Sequence, residues 1–225
     1  MRDNESKISW GNGVELLVVV TAVVAAGFFS KLPAYLSIAA ENYYVRNAGF
    51  IAFLPLIAFF GWKRKLTFSN GLIVSAITAT AALYINLVPG EFPDYGDTMI
   101  LAFIHLPVFL WFVFGAVFIG LKPNDAYDRI GFLRYSADLV VVSTLILISG
   151  AILTGITFAL FATIEIDIQE FYFDYVVIHG LVGAPIIANF VISKNPNLVH
   201  KVSPIIARIF APLVLLTVIA YLVSI

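Results

Sequence analysis

Cysteine is absent from this 225-residue chain, which excludes disulfides and thiolate metal sites and leaves the redox compartment unread. Charge is scarce too. Thirteen Lys and Arg and 14 Asp and Glu make up 12% of the residues, whereas a soluble domain carries charge on about a quarter of its positions. With a net charge of -1 and no long Lys/Arg run, there is no phosphate-binding stripe, and nucleic acid is not an expected partner. No HExxH, no serine-histidine pairing at helical spacing and no phosphate-cradling glycine loop occurs. The chain therefore reads as more a non-enzyme than an enzyme, and no cofactor is expected.

What fills the chain is apolar. Hydrophobic residues make up 61% of it and the mean hydropathy is +0.98, values suited to hydrocarbon rather than water. The apolar residues gather in seven runs, near 14–32, 44–62, 69–88, 98–119, 136–161, 172–193 and 204–224. Each is close to the roughly 20 residues that cross about 30 Å of hydrocarbon as a helix. The expected fold is an all-α, polytopic transmembrane helix bundle of about seven spans over residues 14–225, after a cytoplasmic segment over 1–13. Leu32-Pro33 interrupts the first run, so residues 34–40 are either a short interfacial helix or a continuation of the span. Arg2, Lys7 and the small residues Ala25-Ala26-Gly27 suggest a cleaved signal peptide as a rival, but Glu15 sits poorly in such a segment. The chain stops at Ile225 without a polar tail, and is expected to belong to a longer membrane protein.

Eleven of the 13 Lys and Arg fall on one side of these spans, with Lys31 and Arg46 the exceptions. The positive-inside bias then puts the N-terminus in the cytoplasm. Glu41, Glu91, Asp94, Asp97, Glu165, Asp167, Glu170 and Asp174 collect on the opposite side. Tyr43-Tyr44, Trp62, Phe92, Tyr95, Tyr127 and Tyr172 fall near span ends, as interfacial belts require. The second, fourth and sixth spans carry Pro55, Pro107 and Pro185. Either they form a threefold hairpin repeat with kinked helices at a site, or they are ordinary membrane-helix prolines.

Polar groups inside the spans are the functional leads. His105 and His179 lie at similar depths, roughly 10 Å below the acidic side. Facing each other, with Asn189, they can bind a cation or relay protons; otherwise each hydrogen-bonds a neighbouring helix. On a helical backbone Asp167, Glu170 and Asp174 share a face that can hold a divalent ion, or simply face water. Arg134 and Asp138 are spaced for an intrahelical ion pair. Glu15 is either a proton acceptor or a shallow carboxylate, Asn86 and Asn189 read as interhelical hydrogen-bonding residues, and Arg46 as a snorkelling side chain. Gly180, Ala184 and Ala188 form a small-residue stripe for close helix approach, within the chain or against another subunit.

The Asp167–Val177 run, the Asn195–Pro204 loop, and Arg46-Asn47-Ala48 followed by Pro55 resemble a bacterial family of multi-span membrane proteins of unknown function (DUF4153-like). The resemblance covers about two thirds of the chain. It implies a bacterial inner-membrane setting and a multi-pass fold, and it carries no reaction and no catalytic residue. Two functional expectations stand: a transporter-like module for a small solute or cation, with a polar path through His105, His179 and Asn189, and a noncatalytic membrane-complex subunit or sensor. The expected partners are the lipid bilayer and other membrane subunits.

Overall fold

The computed structural model describes residues 12–90, 95–121, 126–194 and 202–225. Arg2, Lys7, Glu91, Phe92, Asp94, Lys122 and Lys201 lie outside the described residues, as does most of the Asn195–Pro204 loop. The helices are α1 (Gly13–Leu36), α2 (Ala40–Lys63), α3 (Phe68–Leu87), α4 (Asp97–Phe118), α5 (Ala126–Ala162), the short α6 (Gln169–Tyr172), α7 (Ile178–Lys194) and α8 (Val202–Ser224). A π turn, Phe173–Val177, joins α6 to α7. Among the described residues there is no strand. Among the described residues seven segments are long and apolar enough to cross a membrane: α1 to α5, Gln169–Lys194, and Pro204–Ser224. The protein is an all-helical, multi-pass membrane protein.

Two boundaries differ from the sequence expectation. α1 runs unbroken through Pro33 to Leu36, so residues 34–40 form no separate interfacial helix. Proline lacks the N–H that would bond the carbonyl four residues back, here Phe29. The Tyr43 hydroxyl supplies that donor at 2.7 Å, and Tyr44 donates to the next carbonyl, Ser30, at 2.7 Å. The helix survives its proline because two tyrosines satisfy the backbone that lipid would leave bare. The second difference is α5, which begins at Ala126, ten residues before its apolar run. Its 37 residues measure about 55 Å at 1.5 Å each, far more than the hydrocarbon thickness. Hydropathy finds only the apolar part of a helix whose first turns carry Asp128, Arg129 and Arg134.

The chain divides into two compact units, Thr21–Tyr135 on the one hand and residues 1–20 with 136–225 on the other. In the Thr21–Tyr135 unit α2 packs most extensively on α4, and more sparsely on α3. Gly49 permits the close approach, since a Cβ there would lie 3.3 Å from Leu110 Cδ1. Phe50, Ile85, Leu106 and Leu110 form a buried core between these helices. Toward Lys63 the packing becomes aromatic. Phe60 stacks within 4.9 Å of Phe118 and 5.7 Å of Phe114, and Phe132 lies 5.4 Å from Phe114. The Arg64 guanidinium lies 5.5 Å from the Phe118 ring centre, a cation-π contact. Gly115 leaves room for Phe132, whose ring would be only 2.7 Å from a Cβ.

α2 closes with a Schellman motif: Lys65 N–H donates to Trp62 and Leu66 N–H to Gly61, with Lys65 at φ +51°. Carbonyls at the end of a membrane helix are thereby paired before the chain turns.

In the terminal unit, the first turn of α1 is a capping box. Asn12 Oδ1 accepts from Glu15 N–H at 2.9 Å, and Glu15 Oε2 accepts from Asn12 N–H at 3.1 Å. The other carboxylate oxygen of Glu15 accepts from Lys194 Nζ in a salt bridge. The side chains are 13% and 20% exposed, so the pair is largely withdrawn from solvent. The carboxylate lies at a helix N-terminus and the ammonium in the last turn of α7, each where the helix dipole favours its charge. Phe158 stacks on Tyr172 and Phe173 beside the π turn.

Candidate functional site

A groove of about 780 Å³ lies between α3 and α4, inside the Thr21–Tyr135 unit. Ala76, Thr80 and Tyr84 line it from α3 at steps of four, and Thr98, Leu101 and His105 from α4 at steps of three and four, the spacing of one helix face. Its volume falls in the range of small-molecule sites. Alanines at 76, 81 and 102 are too short to fill the space between the helices.

His105 is exposed on α4 and lines this groove. Its Nδ1 is 2.8 Å from the Leu101 carbonyl. A carbonyl only accepts, so Nδ1 carries the proton and in the neutral ring Nε2 is left as an acceptor. Eight residues separate His105 from the start of α4 at Asp97, about 12 Å along the axis.

His179 and Asn189 belong to the other unit. The expected juxtaposition of His105 with His179 thus falls across two units, each described by itself. His179 is the second residue of α7, two positions after the π turn, half-buried, with Nδ1 buried and without a hydrogen-bond partner. Asn189 is 1% exposed on α7, ten residues further on.

The acidic residues are split by the helix start. Asp167 precedes α6 and its Oδ1 accepts from Gln169 N–H at 2.9 Å, while Glu170 lies in α6 and Asp174 in the π turn. The helical face expected for all three therefore excludes Asp167. Among the described residues no group of three His, Asp or Glu side chains is arranged to hold a metal ion. Arg134 is exposed and Asp138 half-buried, one turn apart on α5, and the two form no salt bridge with each other; Glu15 and Lys194 do form one. In the small-residue stripe, Ala184 and Ala188 are buried at 1% and 0%, whereas Gly180 is exposed.

Comparison with family models, with curated proteins and with solved structures yields no match. The arrangement of side chains therefore carries the functional argument alone.

The most developed polar constellation is one that hydropathy and spacing did not single out. Arg46 is read from sequence as snorkelling toward headgroups, yet its guanidinium turns to the end of α3. It donates to the carbonyls of Ile85 and Val88 at 3.0 Å, of Asn86 at 3.2 Å, and of Gly90. At the next residue of α2, Asn47 and Asn86 exchange side-chain amide hydrogen bonds at 3.0 and 2.9 Å, the interhelical role expected of Asn86. Tyr95 donates to Asn42 Oδ1 and packs its ring 5.0 Å from Phe103. Asn42, Arg46 and Asn47 sit at helical spacing on α2, a signal available in the sequence. What the sequence does not contain is the partner, because carbonyl groups have no letter.

Proposed function

We propose that this chain is a noncatalytic membrane subunit or sensor, set in a bacterial inner membrane as the family resemblance implies. The observation that carries this reading is the use made of its polar groups within and at the ends of the spans. Arg46 binds the end of α3, Asn47 binds Asn86, Tyr43 and Tyr44 bind the carbonyls before Pro33, and Glu15 binds Lys194. Each joins one helix to another. Groups committed in this way hold a helix bundle together and are not available to pass a solute or proton. The buried core of the Thr21–Tyr135 unit is mostly apolar, with Leu110 and Phe114 wholly buried; Ser30, Lys31 and Thr78 are buried there too, and the Ser30 and Thr78 hydroxyls donate to carbonyls of their own helices.

A transporter-like module is the second reading, favoured by one observation: the partnerless Nδ1 of His179 beside a π turn, since such turns are frequent at functional sites. Proteoliposome flux separates the two. The subunit or sensor reading predicts proton and potassium flux equal to protein-free liposomes. Flux above that level that disappears in His179→Phe would replace it with the transport reading.

A further inference from the structure

We propose that the α3–α4 groove binds a membrane-dissolved hydroquinone, with one hydroxyl donated to His105 Nε2. The inference stands apart from the role proposed above and rests on three features of the groove. The first is its length. From Thr98 to Phe109 on α4 is eleven residues, about 16 Å, or about one leaflet of a 30 Å core. Ile77, Leu101 and Phe109 are exposed along it at 42%, 57% and 41%, so the groove opens sideways, where the neighbouring medium is lipid.

The second is the set of polar groups within otherwise apolar walls. Thr78 and Thr157 bond their own helix carbonyls at 3.0 and 2.7 Å, as hydroxyls in membrane helices do. Thr80 and Thr98, in the groove, form no such bond among the described residues. His105 Nε2 is likewise open, because the Leu101 carbonyl fixes the proton on Nδ1. In hydrocarbon an open acceptor is unfavourable until a donor reaches it.

The third is depth. His105 lies seven residues below Thr98, about 10 Å along the axis. A phospholipid would place methylenes there, since its polar groups stay at the interface. A hydroquinone carries its hydroxyls on a compact ring that can enter the hydrocarbon, and its two opposed hydroxyls suit an imidazole on α4 and a threonine hydroxyl across the groove. Its apolar tail continues into the alanine-floored remainder.

The 225-residue chain, reconstituted in phospholipid nanodiscs under anaerobic conditions, is titrated with radiolabelled decylubiquinol. Saturable binding of about one per chain above protein-free discs is expected, weakened roughly tenfold in His105→Phe. Decylubiquinone, which has no hydroxyl to donate, is expected to bind less tightly than the quinol. The His105 Nε2 nitrogen resonance of the unsubstituted protein is expected to shift on quinol addition, a readout that needs no variant to fold. Binding that does not saturate, equal affinity in His105→Phe, quinone binding at least as tight as quinol, or an unmoved Nε2 resonance would each overturn the proposal. A groove occupied by phospholipid, another helix or a second copy would appear as the first of these.

Discussion

The two units solve the same problem with different chemistry. Each must join helices that lipid would not press together, because hydrocarbon gives no hydrophobic drive between apolar surfaces. The Thr21–Tyr135 unit places a cation on bare backbone: Arg46 bridges four carbonyls at the end of α3. The terminal unit places a cation on a carboxylate, Lys194 on Glu15. The Arg46 guanidinium has five donors in a fixed fork and can serve several acceptors, whereas Lys194 is a point charge matched to one oxygen. The first arrangement fixes the end of α3 and residues 88–90, the second only the ends of α1 and α7.

This difference predicts a ranking of substitutions, measured as thermal and denaturant unfolding in one detergent. Arg46→Leu should be the most damaging, by about 3 kcal/mol, because several carbonyls lose a charged donor in a low-dielectric setting. Accelerated amide exchange should be confined to the end of α3 and residues 88–90. Gly115→Ala follows, at about 2 kcal/mol, because the new Cβ meets the Phe132 ring at 2.7 Å. If Gly115→Ala were neutral, the aromatic packing around Phe114 would be looser than described. Glu15→Gln should cost about 1 kcal/mol, since the pair is partly exposed and the capping hydrogen bond can persist through the amide. A larger loss than in Arg46→Leu would reverse the comparison. Last, Lys65→Gly should stabilise by about 0.5 kcal/mol, through relief of a left-handed conformation that glycine adopts freely.

The spans were legible because about 20 apolar residues have one stable arrangement in lipid, a helix. The parts that escaped are those set by polar atoms. α5 starts ten residues early because polar residues can extend a helix that hydropathy truncates. α1 passes Pro33 because Tyr43 and Tyr44, 14 residues beyond the carbonyls they serve, complete its bonding. Arg46 was visible as a polar residue of α2, but the backbone acceptors at the end of α3 become its partners only after folding. The Glu15 cap was written in Asn12-Gly-Val-Glu15, an N-cap followed three residues later by Glu; its partner Lys194 lies 179 residues away. For the acidic run, the expectation of one helical face assumed a helix beginning before Asp167, whereas Asp167 precedes the helix start at Gln169.

The central claim is that Arg46, Asn47, Tyr43, Tyr44 and Glu15 tie helices together and that the spans line no water path. Because the chain contains no cysteine, single-cysteine substitutions can be labelled without background. Asn189→Cys and Leu110→Cys, at 1% and 0% exposure in the native chain, are compared with Asp97→Cys at a helix start, using a membrane-impermeant thiol reagent on intact proteoliposomes. The account predicts labelling of Asp97→Cys on the liposomes whose orientation presents it, and none of the two buried positions. Labelling of Asn189→Cys at a rate comparable to Asp97→Cys would contradict it, since water would then reach the middle of α7.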